Sequence, residues 1–113
     1  VQSKGELIDG NKQGIWDWNS EDGKDHIRAN YVNDLQHGAH LYWNEDGGKE
    51  LSQFKDGELT GPFKKWFPNG NLQEESNWIN WKANGPFTYY DEDGKIIFKG
   101  EHKDDKIDWV EAF

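Results

Sequence analysis

Two short stretches carry side chains whose types and spacing suggest ligand chemistry. Asp91-Glu92-Asp93-Gly94 has the alternating carboxylates of a calcium loop, in which several oxygens converge on one ion. A complete loop needs a further ligand before the glycine and a bidentate Glu six positions after it. That position is Gly100, so an ordinary hairpin turn is the better reading. His37 and His40 are the one short-spaced histidine pair, but they flank Gly38 with no cysteine beside them, and the chain has no Cys at all. Carboxylates abound, yet none sits in a nucleophile elbow or a phosphate-binding loop. We therefore expect no catalytic residue, no metal and no cofactor, and look for binding instead.

The charge balance narrows the partner. Twenty-two Asp and Glu against 13 Lys and Arg leave a net charge of -9 and a pI near 4.8. A polyanion is repelled by nucleic acid and by anionic lipid, and a basic protein surface is its natural counterpart. No stretch approaches 18 apolar residues, which argues against insertion as a membrane helix. The sequence opens on Val1 and contains no Met, from which we expect a start codon or leader to have been removed. The oligomeric state is open, since terminal strands offer edges for pairing.

The elements that hold these residues emerge from a repeat. Only 33% of the residues are hydrophobic and the mean hydropathy is -1.14, which alone leans toward disorder. Seven Trp, six Phe and four Tyr reverse that lean, because each large ring buries roughly 150–250 Å². Gly14, Gly38, Gly61 and Gly85 are spaced by 24, 23 and 24 residues, and Gly23, Gly47, Gly70 and Gly94 repeat the same intervals. Between the two sets run aromatic strands: Ile15–Trp18, Leu41–Trp43, Phe63–Phe67 and Phe87–Tyr90. A weaker strand follows each second glycine, with Ile27, Leu51, Leu72 or Ile96, and closes on Tyr31, Phe54, Trp78 or His102. Asn33-Asp34, Asp56-Gly57, Asn80 and Asp104-Asp105 then form the second turn. The units span about 14–37, 38–60, 61–84 and 85–107 within one domain, 1–113, with partial units at both ends. The predicted fold is all-β: a single twisted sheet, an elongated antiparallel meander of tandem β-hairpins.

Period-two alternation places Trp16 with Trp18, Phe63 with Phe67 and Phe87 with Tyr89 on one face, and Trp66 and Tyr90 on the other. Most of these rings are expected to brace neighbouring hairpins. Acidic turns line up on the rims, with Glu21-Asp22, Glu45-Asp46 and Asp91–Asp93 on one side and Asp34, Asp56 and Asp104-Asp105 on the other. Our candidate partner-binding residues are Trp66, Trp78, Trp81, Tyr89, Asp91 and Asp93, because Trp and Tyr dominate interface energetics and acids steer basic partners. Trp81 is the sharpest, since it stands where other units carry Asp34, Gly57 or Asp105. Three further breaks in the pattern are His40, a doubled Gly47-Gly48 that predicts a bulge or inserted residue, and a final unit with Asp105 and Asp108 in place of glycine, predicting a wider or frayed turn.

The runs Gly61-Pro62-Phe63-Lys64-Lys65-Trp66-Phe67-Pro68-Asn69-Gly70 and Gly85-Pro86-Phe87-Thr88-Tyr89-Tyr90-Asp91-Glu92-Asp93-Gly94 resemble the MORN-repeat variant family, and the likeness extends over nearly the whole chain. Bacterial members include antitoxins of the YwqK type. The resemblance implies an immunity protein that neutralises a cognate toxin by direct binding, in the bacterial cytoplasm or, after export, the periplasm or cell surface. The alternative is a cell-wall or carbohydrate-binding repeat module, whose units usually open with Gly-Trp, a pair that none of these anchors has.

Overall fold

The computed structural model describes residues 2–20 and 25–113. Glu21, Asp22 and Gly23, members of the predicted acidic rim and second glycine set, lie outside the described residues.

The described residues form one open antiparallel sheet and no helix. In chain order the strands are β1 (Gln2–Ile8), β2 (Asn11–Asn19), β3 (His26–Val32), β4 (Leu35–Trp43), β5 (Lys49–Lys55), β6 (Glu58–Leu59), β7 (Gly61–Trp66), β8 (Leu72–Ile79), β9 (Lys82–Ala83), β10 (Gly85–Tyr90), β11 (Ile96–Lys103) and β12 (Lys106–Ala112). Neighbours in sequence are neighbours in space; the two-residue strands β6 and β9 pair beside β5 and β8, just ahead of β7 and β10. This is the predicted meander. It measures 50 × 31 × 15 Å, with a radius of gyration of 16.0 Å where a compact chain of this length would have roughly 13 Å. One layer cannot enclose an interior, so among the described residues only Trp16, Ala29, Ala83 and Phe87 are buried apolar residues.

Packing rests on rings laid over small residues. In register, Trp16 faces Ala29, which faces His40, which faces Ser52; farther along, Phe63 faces Ser76, and Phe87 faces Gly100. Rings and small side chains therefore alternate across the sheet, and each ring has room to lie flat against its neighbour strand. The closing rings Tyr31, Phe54, Trp78 and His102 pair with the anchors Gly14, Gly38, Gly61 and Gly85. At Gly61 and Gly85 φ is +115° and +102°, and a Cβ would press on the side chains of Gln53 and Asn77 at 3.1 and 3.3 Å. Glycine is required there because the strand bulges between its short and long segments. The Asn77 side-chain amide spans the bulge by donating to the Pro86 carbonyl at 2.8 Å, as Asn30 does to Ala39 at 3.1 Å.

Two expectations for the turns need correction. Gly47-Gly48 inserts nothing: Asn44–Gly48 closes with the same backbone bonds as Phe67–Asn71 and Asp91–Lys95. What sets the second hairpin apart from the two that follow is its pairing: it is even, Tyr42 with Glu50 and Trp43 with Lys49, whereas the third and fourth shift register at Lys65/Trp66 and Tyr89/Tyr90 and so hold one residue more. The final turn is not widened either. Asp104 and Asp105 have φ of 49° and 70°, nearly those of Asn33 and Asp34 at 49° and 72°, since Asp and Asn tolerate left-handed backbone almost as glycine does.

Candidate protein-binding surface

Each turn on the rim at residues 33–34, 56–57, 80–81 and 104–105 links its unit to the one before. The N–H groups of Asp34, Gly57, Trp81 and Asp105 donate to the carbonyls of Lys12, Gln36, Leu59 and Ala83 at 2.8–3.0 Å. Asp34 and Asp105 add a second bond, their Oδ1 accepting the N–H of Lys12 and Ala83 at 3.0 and 3.1 Å. Aspartate suits this position twice over, in backbone preference and as an acceptor. Trp81 has neither advantage. Its φ is 69°, a conformation that bulky residues avoid at about 1–2 kcal/mol, and it is 56% exposed. Its ring does pack, edge-on against Phe54 at 5.6 Å. That contact with the preceding unit was not foreseen from the repeat.

The six candidate residues fall in separate places. Trp78 lies on the same face as Trp16, its Nε1–H donating to Ser76 Oγ at 3.0 Å. Tyr89 shares that face, edge-on to Phe87 at 5.8 Å, and is 37% exposed. Trp66 lies on the opposite face beneath the Lys49 ammonium, 4.5 Å from its ring centroid. Asp91 and Asp93 occupy the rim opposite Trp81, across strands of roughly 20–30 Å. There the Asp91 Oδ1 accepts the N–H groups of Asp93 and Lys95 at 2.9 and 3.0 Å, closing the turn. Trp78 and Trp81 thus sit toward one rim, Tyr89 and the two acids toward the other, and Trp66 behind.

The register reveals a further grouping. Across the sheet Trp18, Ile27, Tyr42, Glu50, Lys65, Glu74, Tyr89 and Phe98 form one continuous row. Its charged centre, Glu50-Lys65-Glu74, separates an aromatic group at Trp18 and Tyr42 from another at Tyr89 and Phe98. The individual residues were visible in the sequence, but their adjacency depends on register shifts that glycine spacing does not reveal.

The histidines are used separately. His37 Nδ1 lies 3.8 Å from the Asp56 carboxylate and accepts the Asp56 N–H, whereas the His40 ring meets Phe54 edge-on at 5.6 Å. Among the described residues no three of His, Asp or Glu gather as a metal-binding group. Half-burial holds the His40 pKa below its ordinary 6.5, because the charged imidazolium loses hydration there. As pH falls through 6.5 the unfolded chain takes up this proton before the folded one does, so wild-type stability declines. His40→Phe puts a ring where Trp16, Phe63 and Phe87 stand in other units and removes the titration. We expect its melting temperature to exceed wild type by about 3–5 °C at pH 7, with the gap widening at pH 5, as thermal melts at the two pH values will show.

The model of the MORN repeat variant family matches residues 59–80 and 83–104. No curated protein matches the chain. Among solved structures, a mutant of S. aureus TarM crystallised in complex with fondaparinux, alpha-GlcNAc-glycerol and UDP is similar, at 12% identity and a TM-score of 0.53. The likeness covers 88% of this chain and 20% of that one, so this chain spans about a fifth of its length, and the similarity is one of fold. β7–β8 and β10–β11 are accordingly two adjacent repeats of the MORN variant type, set within a larger scaffold of hairpins.

Proposed function

We propose that this scaffold works without catalysis, by binding a protein, and that its partner is a basic toxin or effector which it neutralises as an immunity protein. Trp81 carries the reading. A large ring at a left-handed turn residue costs backbone energy that Asp or Gly would avoid, and it leaves apolar surface in water. Half-exposed tryptophans anchored on a neighbouring ring are the residues that dominate protein interfaces. The net charge of -9 adds attraction for a basic surface and speeds encounter.

Co-expression with the product of the adjacent gene tests this directly. The toxin is expected to co-purify with the chain and lose its toxicity. Trp81→Asp trades the contact with Phe54 for an acceptor aimed at the Leu59 N–H, as in the Asp34 and Asp105 turns. Its stability should stay within about 1 kcal/mol of wild type, while binding weakens by about 2–4 kcal/mol, or 30- to 1000-fold. Absence of a complex, or full toxin binding by a folded Trp81→Asp variant, overturns the assignment.

A further inference from the structure

We propose that the trough beside Trp18 receives a cationic side chain, arginine or lysine, of a protein partner. The proposal takes its partner from the protein-binding reading above but stands on a different part of the molecule, distant from Trp81 by several strands. An open cavity of about 490 Å³ lies over Trp18, Ile27 and Tyr42, with Asn19 and Asp25 at its rim. A second, of about 330 Å³, shares Trp18 and Ile27 and continues past Tyr31 to Gln36 and His40.

Three observations give the trough its preference. Trp18 and Tyr31 stand at 66° to one another with centroids 5.8 Å apart, so they form two walls of an aromatic corner rather than a flat stack. Among the described residues the charged group at its rim is an acid, Asp25, whose Oδ1 is 3.4 Å from the Tyr42 hydroxyl that donates to it. Among the described residues no Lys or Arg lines either cavity, and the Gln36 Oε1 that borders the second is a buried acceptor with no hydrogen-bond partner. Aromatic faces with a carboxylate and amide acceptors favour a cation, by ring quadrupole and by charge. The molecule already uses this chemistry at the border of the trough, where the Lys12 ammonium lies 5.4 Å from the centroid of Tyr31, one of its rings, and 5.8 Å from that of Trp16, which lies outside it. The net charge of -9 draws cations to the surface as a whole, while the corner gives one of them a seat.

The test uses the full chain and no toxin. Acetyl-Gly-Arg-Gly-amide is titrated against isotope-labelled protein while the Trp18 indole N–H is followed by NMR; the citrulline peptide, equal in shape and uncharged, serves as control. The arginine peptide should shift that resonance saturably, and the citrulline peptide should bind at least about fivefold more weakly. Asp25→Asn, which preserves shape, should weaken the arginine peptide by a similar factor, and Trp81→Ala should not alter it. Trp18→Ala should abolish binding, with Asp25→Asn deciding the matter if the Trp16 stack fails to fold. Equal binding of both peptides, no shift at Trp18, or a saturable shift with chitobiose or cellobiose but none with arginine overturns the proposal. The Trp81→Ala control keeps this outcome separate from that of the toxin experiment.

Discussion

Gly100→Ala is expected to detach β12 from the sheet at a cost of about 3 kcal/mol or more. An ideal Cβ at this position would lie 2.2 Å from the Trp109 carbonyl oxygen and 2.8 Å from the Phe87 ring. The first of these is backbone, which cannot move without breaking the Gly100–Val110 and Glu101–Trp109 pairing. Equivalent positions carry Ala29, Ser52 and Ser76, so a clash with the opposing backbone belongs to the last pairing, while Gly5 is crowded by the Trp16 ring instead. There only Asp108 is unmatched between the partners of Glu101 and His102, whereas His37, Gly38 and Ala39 all lie between the partners of Ala29 and Tyr31. The tighter bulge brings the opposing strand closer. Because each strand contacts mainly its neighbours, the lesion should remain local. Hydrogen exchange should show lost amide protection from Phe98 to Glu111 with protection retained in β2–β5; retained protection throughout would refute the steric argument.

The repeat itself was legible because glycine and ring spacing report on strand length, and strand length in a meander fixes the order of the elements. The intervals of 24, 23 and 24 also held a finer message that spacing cannot convey. One residue can be added in a turn or in a strand bulge with the same effect on the interval. Glycine-glycine at 47–48 pointed to a bulge or an inserted residue there, whereas the difference from the third and fourth units lies in their register shifts opposite Trp66 and Tyr90. The final turn misled for a related reason. Glycine is the commonest left-handed residue, but Asp104 and Asp105 adopt the same geometry, and the Asp105 carboxylate gives a bond that glycine lacks.

For the candidate site, alternation alone assigned the faces of Trp16, Trp18, Trp66 and Tyr90, since side chains in a strand have few options. Grouping was harder. Trp81 marked itself by violating a unit-wide preference for small or acidic residues, although its contact with Phe54 joins residues 27 positions apart and leaves no trace in either neighbourhood. Trp18 and Tyr42 gave no such sign. Each looked like an ordinary bracing ring, and only the pairing through Ile27 shows that they flank one trough beside Asp25. Residues that obey the repeat can together line a trough wherever two strands meet.

The second large effect is expected at Trp16. It is the bulkiest buried residue, 8% exposed, stacked on Trp18 at 5.9 Å and donating its Nε1–H to the Glu6 carbonyl at 3.1 Å. Trp16→Ala should cost about 3–5 kcal/mol and release β1, because the ring is what holds that strand from above. The ring lies directly over Gly5, where a Cβ would fall 2.2–2.5 Å from three indole atoms. Gly5→Ala alone should therefore also destabilise, by pushing the indole off its seat. With the indole removed, the three atoms nearest that methyl are gone, so the double variant should be no less stable than Trp16→Ala. Denaturant melts of the four proteins give this coupling as a cycle. Additive losses would mean that Gly5 is needed for its backbone and not for the room it leaves. A strong coupling would establish that Gly5 is small in order to seat the Trp16 ring, the arrangement that Ala29, Ser52, Ser76 and Gly100 repeat across the sheet and that gives so thin a layer its packing.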